Sequence, residues 1–93
     1  MKLIYSRQAV GDLKRIAEYY RSEASPFVAR AIGQRIEDVI ARIAISPESA
    51  PRVSQRSNVR TAAVIRYPFR IFYRVQTDRI EILHIRHTSR RPL

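Results

Sequence analysis

Apolar positions recur every three or four residues through the first half of the chain, which is the spacing of an amphipathic helix. The first run covers about Arg7 to Glu23, and Ser6 before it can accept a hydrogen bond from a first-turn N–H. The second run starts at Pro26, behind the capping residue Ser25, and continues to about Ala44. Because only a few residues separate the two runs, the pattern predicts an antiparallel helical hairpin.

The other apolar runs are short and rich in β-branched and aromatic residues, as is typical of strands. One, Lys2–Tyr5, precedes the first helix, and three follow the irregular segment 48–58, at residues 59–66, 69–76 and 79–87. Two-residue connections between the last three strands favour antiparallel hairpins. The sequence therefore predicts an α+β fold with the order β-α-α-β-β-β, in which a small antiparallel sheet is backed on one face by the helical hairpin.

Alternation along the last two strands sorts their side chains between two faces. The first of these strands carries an apolar set on one face and Arg70, Phe72 and Arg74 on the other. Strict alternation along the last strand separates two sets of side chains, namely Ile80, Ile82, His84 and Arg86 from Glu81, Leu83, Ile85 and His87. Since two helices cover only one face of so small a sheet, the arginine-bearing face is expected to be open and to serve as the functional surface.

Charge strengthens that expectation. The chain has 93 residues, which suits a single domain, and its 18 Lys and Arg against 8 Asp and Glu give a net charge of +10. Residues 1–51 hold eight basic and six acidic side chains, whereas residues 52–93 hold ten arginines against Asp78 and Glu81. An anionic partner is therefore implied, either a nucleic acid or an acidic protein.

Several kinds of chemistry are made improbable by composition. There is no cysteine, so neither disulfides nor thiolate metal sites form, and a reducing cytoplasm is the expected location. His84 and His87 are the only histidines, which is too few for a usual zinc site, and no metal or cofactor is expected. The N-terminal residues contain no apolar run of the length that an export signal or a membrane span requires, so no membrane association is expected.

The order and spacing of the last strands resemble those of a known family. The sequence reads YPFRIFYRV at 67–75 and IEILHIRH at 80–87, and this pattern is similar to that of the ParE/RelE family of bacterial toxins, most closely to its ParE-like branch. The first helix agrees with the resemblance through Tyr5-Ser6, Ala9, Asp12-Leu13, Ile16 and Tyr19-Tyr20. The similarity extends over nearly the whole chain.

The resemblance implies a toxin of a type II toxin–antitoxin module, of the kind that stabilises plasmids. It also implies a cognate antitoxin, with an acidic or amphipathic segment, that forms an oligomeric complex with the toxin. Two activities divide the superfamily: RelE-like members cut messenger RNA on the ribosome, and ParE-like members act on DNA gyrase. A basic nucleic-acid-binding module without toxin activity is a further alternative, although no signature of such modules is present.

The residues themselves favour the gyrase alternative. Cleavage at a 2′-hydroxyl requires a general base and a general acid beside cationic groups. The resemblance implies that in RelE-like nucleases an arginine matching Arg70 and a last-strand arginine near Arg86 lie in the active site with such partners, but here Thr88-Ser89 stand where an acid–base pair is expected. We therefore predict no catalytic residues. The predicted binding residues, for target or antitoxin, are Arg70, Arg74, His84, Arg86, His87, Arg90 and Arg91. Asp12 and Glu18 are expected on the solvent face of the first helix.

Overall fold

The two helices form where the sequence predicts them. The computed structural model describes residues 1–88, in which α1 spans Arg7–Glu23 and α2 spans Pro26–Ile45. Ser6 and Ser25 cap these helices, and each side chain accepts a hydrogen bond from the N–H three residues later. The buried stripe of α2 consists of Ile32, Ile36, Val39, Ile40 and Ile43. This stripe lies against the sheet and forms the helical half of the core.

Four strands form one sheet in the order β1-β4-β3-β2. Their bounds are Lys2–Tyr5 for β1, Arg60–Ala63 for β2, Phe69–Val75 for β3 and Arg79–His87 for β4. The last three strands are antiparallel, as predicted, whereas β1 pairs parallel with β4 and makes the sheet mixed. The parallel pair arises because the helical hairpin and two strands separate β1 from β4, so no tight turn fixes their relative direction.

Tyr73 anchors the irregular segment before β2. Its side chain is fully buried, and its hydroxyl donates a 2.6 Å hydrogen bond to the Pro47 carbonyl. Arg60 donates to the carbonyls of Glu48 and Ala50 at 3.1 and 2.7 Å. These contacts fix the start of the irregular segment beside the sheet, although the segment has no regular secondary structure of its own.

A bulge interrupts the pairing of β4 with β3. Tyr73 is the partner of Ile82, but the adjacent Phe72 is the partner of His84. Leu83 therefore lies opposite no residue of β3, as the extra residue of a β-bulge does. From this point onward the side chains of β4 exchange faces relative to a regular strand.

The bulge decides which residues can form a site. Ile80 and Ile82 face the helices, and after the bulge Ile85 faces them too. His84 and Arg86 consequently point to the opposite face of the sheet, where they are the partners of β3 residues that face away from the core. The prediction that His84 and Arg86 share a face with Ile80 and Ile82 is wrong, because strict alternation assumes one residue per partner along the whole strand.

Candidate functional site

The sheet face away from the helices carries most of the predicted binding residues. We call it the arginine face and define it by Arg70, Phe72, Arg74, His84 and Arg86. Arg86 is exposed and His84 is buried, while the other three side chains are half-buried. The structure therefore brings together four residues of the predicted set, all except the last histidine and the two arginines near the C-terminus.

Arg70 and Arg86 are direct cross-strand partners. Side chains in such a pair lie on the same face with their Cβ atoms about 4.5–5.5 Å apart. The Arg70 guanidinium donates a 3.3 Å hydrogen bond to the Thr61 hydroxyl of β2. Among residues 1–88, neither Arg70 nor Arg86 forms an ion pair with a carboxylate. This end of the arginine face therefore carries two positive charges that no acidic side chain of the described chain offsets.

The other end of the arginine face is neutral. Arg74 lies opposite Glu81, and their side chains approach to 3.7 Å, with about a third of each exposed. The charge of Arg74 is therefore balanced by Glu81 within the protein itself. The positive charge of the face is consequently concentrated at the end where β3 begins and β4 finishes.

Arg56 extends this charged region from the irregular segment. Its guanidinium lies 3.0 Å from Nε2 of His84, whose ring also makes an edge contact with Phe72 at 4.7 Å between centroids. A guanidinium can only donate, so Nε2 of His84 accepts and the ring is neutral with its proton on Nδ1. Sequence reasoning missed Arg56, because the segment around it has no periodicity that assigns its side chains to a face.

The surroundings of His84 favour this neutral form. Burial is the largest influence and lowers the pKa of His84, the charges of Arg86 and Arg56 lower it further, and Asp12 opposes them. Neutral His84 thus serves to hold Arg56 beside the arginine pair. In this arrangement the face presents guanidinium donors of the kind that suit anions, and Nε2 of His84 is occupied as an acceptor.

His87 is not part of this arrangement. His87 is the partner of Phe69, so its side chain lies on the helix side of the sheet, where the two rings make an edge contact at 5.3 Å. Arg90 and Arg91 lie outside the described residues. Within residues 1–88 no three potential metal-ligating side chains cluster together, and no helix is long and apolar enough to cross a membrane.

A groove opens on the helix side, between α1 and the ends of β3 and β4. Its volume is about 810 Å³. A row of edge-packed rings lines it, with centroid distances of 5.0 Å from Tyr19 to Tyr20, 6.1 Å from Tyr20 to Phe69 and 5.3 Å from Phe69 to His87. Its remaining lining residues are Gln8, Asp12, Arg15, Ile16, Ile85 and Arg86. The groove thus has a row of aromatic rings along it and two arginines among its polar lining residues.

Asp12 lies within this groove and is buried, which corrects the prediction that it faces solvent. Its carboxylate accepts a 2.9 Å hydrogen bond from the Ile85 backbone N–H and also pairs with Arg15. Tyr5, the last residue of β1, pairs with Ile82. Beyond that point β4 has no neighbouring strand on this side among residues 1–88, so the Ile85 N–H donates to a side chain instead of to a backbone carbonyl. Glu18, by contrast, is exposed as predicted.

Comparisons with known proteins agree with this architecture. A family model described as the ParE toxin of the type II toxin–antitoxin system parDE matches residues 3–92. A structure of the chromosomal ParDE system from P. aeruginosa is 30% identical, with a TM-score of 0.85 and coverage of 96% of this chain and 97% of that one. No curated protein matches the chain.

More distant structures share the fold. The E. coli RelBE toxin–antitoxin complex gives a TM-score of 0.68 at 11% identity, with coverage of 96% and 98% of the two chains. The YoeB dimer from Staphylococcus aureus gives 0.64 at 16% identity, with coverage of 90% and 92%. The match to the family model over almost the whole length goes further than fold: this chain belongs to the ParE toxins of type II toxin–antitoxin systems.

Proposed function

We propose that this toxin acts in the cytoplasm by inhibiting DNA gyrase, and that a cognate antitoxin with an acidic segment neutralises it by forming a complex. On this proposal the toxin binds gyrase and blocks its cycle of DNA cleavage and religation, while gyrase performs the chemistry. The toxin contributes a positively charged surface and no catalytic group.

The observation that carries the proposal is the Arg70–Arg86 pair. Two guanidinium groups from directly opposed positions on adjacent strands, with Arg56 nearby, provide planar donors suited to carboxylates or phosphates. A cluster of three arginines with no carboxylate paired to it among residues 1–88 favours recognition of an anionic surface. The gyrase–DNA complex offers both acidic protein and phosphate groups.

The alternative is ribosome-dependent cleavage of messenger RNA, which needs a proton acceptor and a proton donor near the arginines. His84 is buried, and its Nε2 already accepts from Arg56. His87 lies on the opposite face of the sheet. The arrangement in the described residues therefore supports binding in preference to RNA cleavage.

The test is a supercoiling and cleavage-complex assay with purified gyrase, run beside a ribosome-dependent mRNA cleavage assay. We expect the wild type to inhibit supercoiling and to leave mRNA intact. Arg70→Ala and Arg86→Ala should each raise the concentration for half-inhibition at least about tenfold, since a hydrogen bond to a charged group contributes about 1.5–3 kcal/mol.

Arg21→Ala and Arg30→Ala are matched controls, because each removes one exposed arginine from a helix and changes the net charge equally. They should inhibit within about twofold of the wild type, as surface charges remote from an interface have small effects. Cleavage of mRNA without any effect on gyrase would overturn the proposal. Equal losses in all four variants would show that net charge, and not the arginine face, carries the inhibition.

A further inference from the structure

An aromatic ring lies among the cations of the arginine face. Phe72 follows Arg70 by two positions along β3 and precedes Arg74 by two, so each of these neighbours is about 6.5 Å away along the strand. Its partner across the sheet is His84, against which the ring packs edge-on with 4.7 Å between centroids. The Phe72 side chain is only half-buried, so part of the ring is open to solvent on the face that the helices do not cover.

The arginines around this ring are not neutralised by the protein. The Arg70 guanidinium donates to the Thr61 hydroxyl at 3.3 Å, and the Arg56 guanidinium lies 3.0 Å from Nε2 of His84. Both of these acceptors are neutral, so the contacts do not balance the positive charges. Arg86 lies beside Arg70, and none of the three arginines pairs with a carboxylate among residues 1–88. Anionic oxygens for this cluster must therefore come from a partner.

The ring distinguishes between the anionic partners that suit the arginines. A single strand of nucleic acid carries a phosphate at every nucleotide and a flat base beside it, and proteins hold such strands with cations next to aromatic side chains. A duplex keeps its bases stacked inside, where a ring on a sheet surface does not reach them. An acidic peptide satisfies the arginines, but its carboxylates bring no planar group for Phe72. The combination of groups on the face favours a single strand.

The acceptors of the arginine face bear on the choice between DNA and RNA. The 2′-hydroxyl distinguishes RNA from DNA, and a site that selects RNA offers an acceptor for its proton. Among residues 1–88, Nε2 of His84 already accepts from Arg56, and the Glu81 carboxylate pairs with Arg74. The face thus gives RNA no advantage over DNA, and DNA is the nucleic acid on which gyrase works.

We propose that the arginine face binds a single strand of DNA, with phosphates on Arg56, Arg70 and Arg86 and one base stacked on Phe72. The inference rests on the proposed function, because gyrase opens the duplex during its cycle of cleavage and religation and so exposes such a strand. A toxin bound to the exposed strand keeps the broken ends from realigning. Religation is blocked because the toxin contacts the DNA as well as the enzyme.

The experiment measures binding of the whole toxin chain to a fluorescein-labelled oligodeoxyuridylate of about 12 nucleotides. Fluorescence polarisation at several salt concentrations gives the dissociation constants. The logarithm of the association constant should fall against the logarithm of the salt concentration with a slope of about −2, since each of three neutralised phosphates contributes about −0.7 on a single strand. At physiological salt, the duplex with oligodeoxyadenylate should bind at least about fivefold more weakly, because its bases are not free to stack.

Variants of the face separate stacking from charge. Phe72→Leu keeps an apolar side chain beside His84 but removes the ring, so it should weaken binding at least about fivefold and leave the salt slope unchanged. Phe72→Tyr retains a ring and should bind within about twofold of the wild type. Arg56→Ala and Arg70→Ala should each weaken binding and make the slope shallower by about 0.7. Thermal unfolding checks that each variant is folded, and Phe72→Met replaces Phe72→Leu if the latter is not.

The helix variants Arg21→Ala and Arg30→Ala are the matched controls, since each removes one exposed arginine away from the arginine face. They should bind the oligonucleotide within about twofold of the wild type. Losses as large as that of Arg70→Ala, or full binding by Phe72→Leu, would overturn the inference. So would binding of an oligouridylate of the same length at least about tenfold more tightly, because the face would then be an RNA site.

The gyrase assay separates this inference from the proposed function. Phe72→Leu should raise the concentration for half-inhibition of supercoiling by about the same factor as it weakens DNA binding. Undiminished inhibition by Phe72→Leu would overturn the inference and leave the proposed function standing. Wild-type toxin that never inhibits gyrase, combined with the expected oligonucleotide binding, would overturn the proposed function and leave the strand-binding face.

Discussion

Arg70 and Arg86 lie directly opposite each other on neighbouring antiparallel strands, and both side chains project from the same face of the sheet. On the same two strands, Arg74 lies opposite Glu81 at 3.7 Å. Opposed like charges destabilise a sheet by an amount similar to that by which opposite charges stabilise it, about 0.2–1 kcal/mol. The fold thus tolerates an unfavourable pair at the position where the proposed binding charge is concentrated.

Reversing one charge in each pair should change stability in opposite directions. Arg86→Glu should raise the free energy of unfolding by about 0.5–1 kcal/mol at low salt, since it creates an ion pair with Arg70. Arg74→Glu should lower it by a similar amount, because two carboxylates then face each other. Urea denaturation at low and high ionic strength measures both effects, which should shrink as salt screens the charges. Changes of the same sign in both variants would contradict the assignment of these pairs.

Among residues 1–88, two non-glycine residues have left-handed backbone conformations, and they should respond differently to substitution. Arg66 has φ 78° and Asn58 has φ 56°. Asparagine tolerates this region better than arginine does, so Arg66→Asn should raise the free energy of unfolding by about 0.5–1 kcal/mol. Asn58→Ala should lower it by about 1–2 kcal/mol, because it also removes the 3.0 Å hydrogen bond from the amide to the Val75 carbonyl. Thermal unfolding of both variants measures these changes in stability. Stabilisation by Asn58→Ala would contradict the expected losses from backbone strain and from the missing hydrogen bond.

The buried carboxylate of Asp12 should be important for stability. Asp12→Ala leaves the Ile85 N–H without its acceptor and should lower the free energy of unfolding by about 1–3 kcal/mol. Asp12→Asn keeps an acceptor oxygen and should lose less. Glu18→Ala, at an exposed position on the same helix, should stay within about 0.5 kcal/mol of the wild type. Chemical denaturation provides the comparison, and equal losses for the alanine variants would contradict a specific role for Asp12.

Acid should destabilise the protein through His84. Burial, with Arg86 and Arg56 nearby, lowers the pKa of His84 from its ordinary value of 6.5. The folded protein therefore binds this proton more weakly than the unfolded chain, so the stability contributed by neutral His84 is present above pH 6.5 and is lost as pH falls below it.

His84→Gln isolates this effect, because its amide oxygen can still accept from Arg56 but does not titrate. Between about pH 7 and 5, the free energy of unfolding should fall more steeply for the wild type than for His84→Gln. Urea titrations at several pH values measure the difference. Parallel pH profiles for the two proteins would show that His84 titrates equally in the folded and unfolded states.

Local signals were sufficient to predict the helices and the face pattern of β3. Ser6 and Ser25 could be predicted as caps because the hydrogen bonds that make them caps join residues only three positions apart. Along β3, the buried positions Phe69, Ile71 and Tyr73 alternate with half-buried ones, as the apolar alternation predicts. Both features could be predicted because the caps depend on residues close together in the chain and the face pattern depends on a regular period.

Features that depend on distant contacts could not be predicted. The bulge at Leu83 changes the face of His84 and Arg86, and no local glycine or turn residue indicates it. Asp12 is buried because it meets Ile85, which lies 73 residues away. An isolated aspartate on an amphipathic helix has the same local pattern whether it faces solvent or caps a strand edge.

The contact between Ser6 and Leu83 has a consequence for synthesis of the toxin. Ser6 caps α1 and its hydroxyl also donates to a carbonyl 77 residues further along the chain. The edge strand β1 pairs only with β4, so the sheet cannot be completed until the last strand has been synthesised. Since contacts of such long sequence separation form late, a nascent chain that ends before β4 lacks the opposed arginines Arg70 and Arg86. The topology itself thus delays completion of the sheet until β4 has been synthesised.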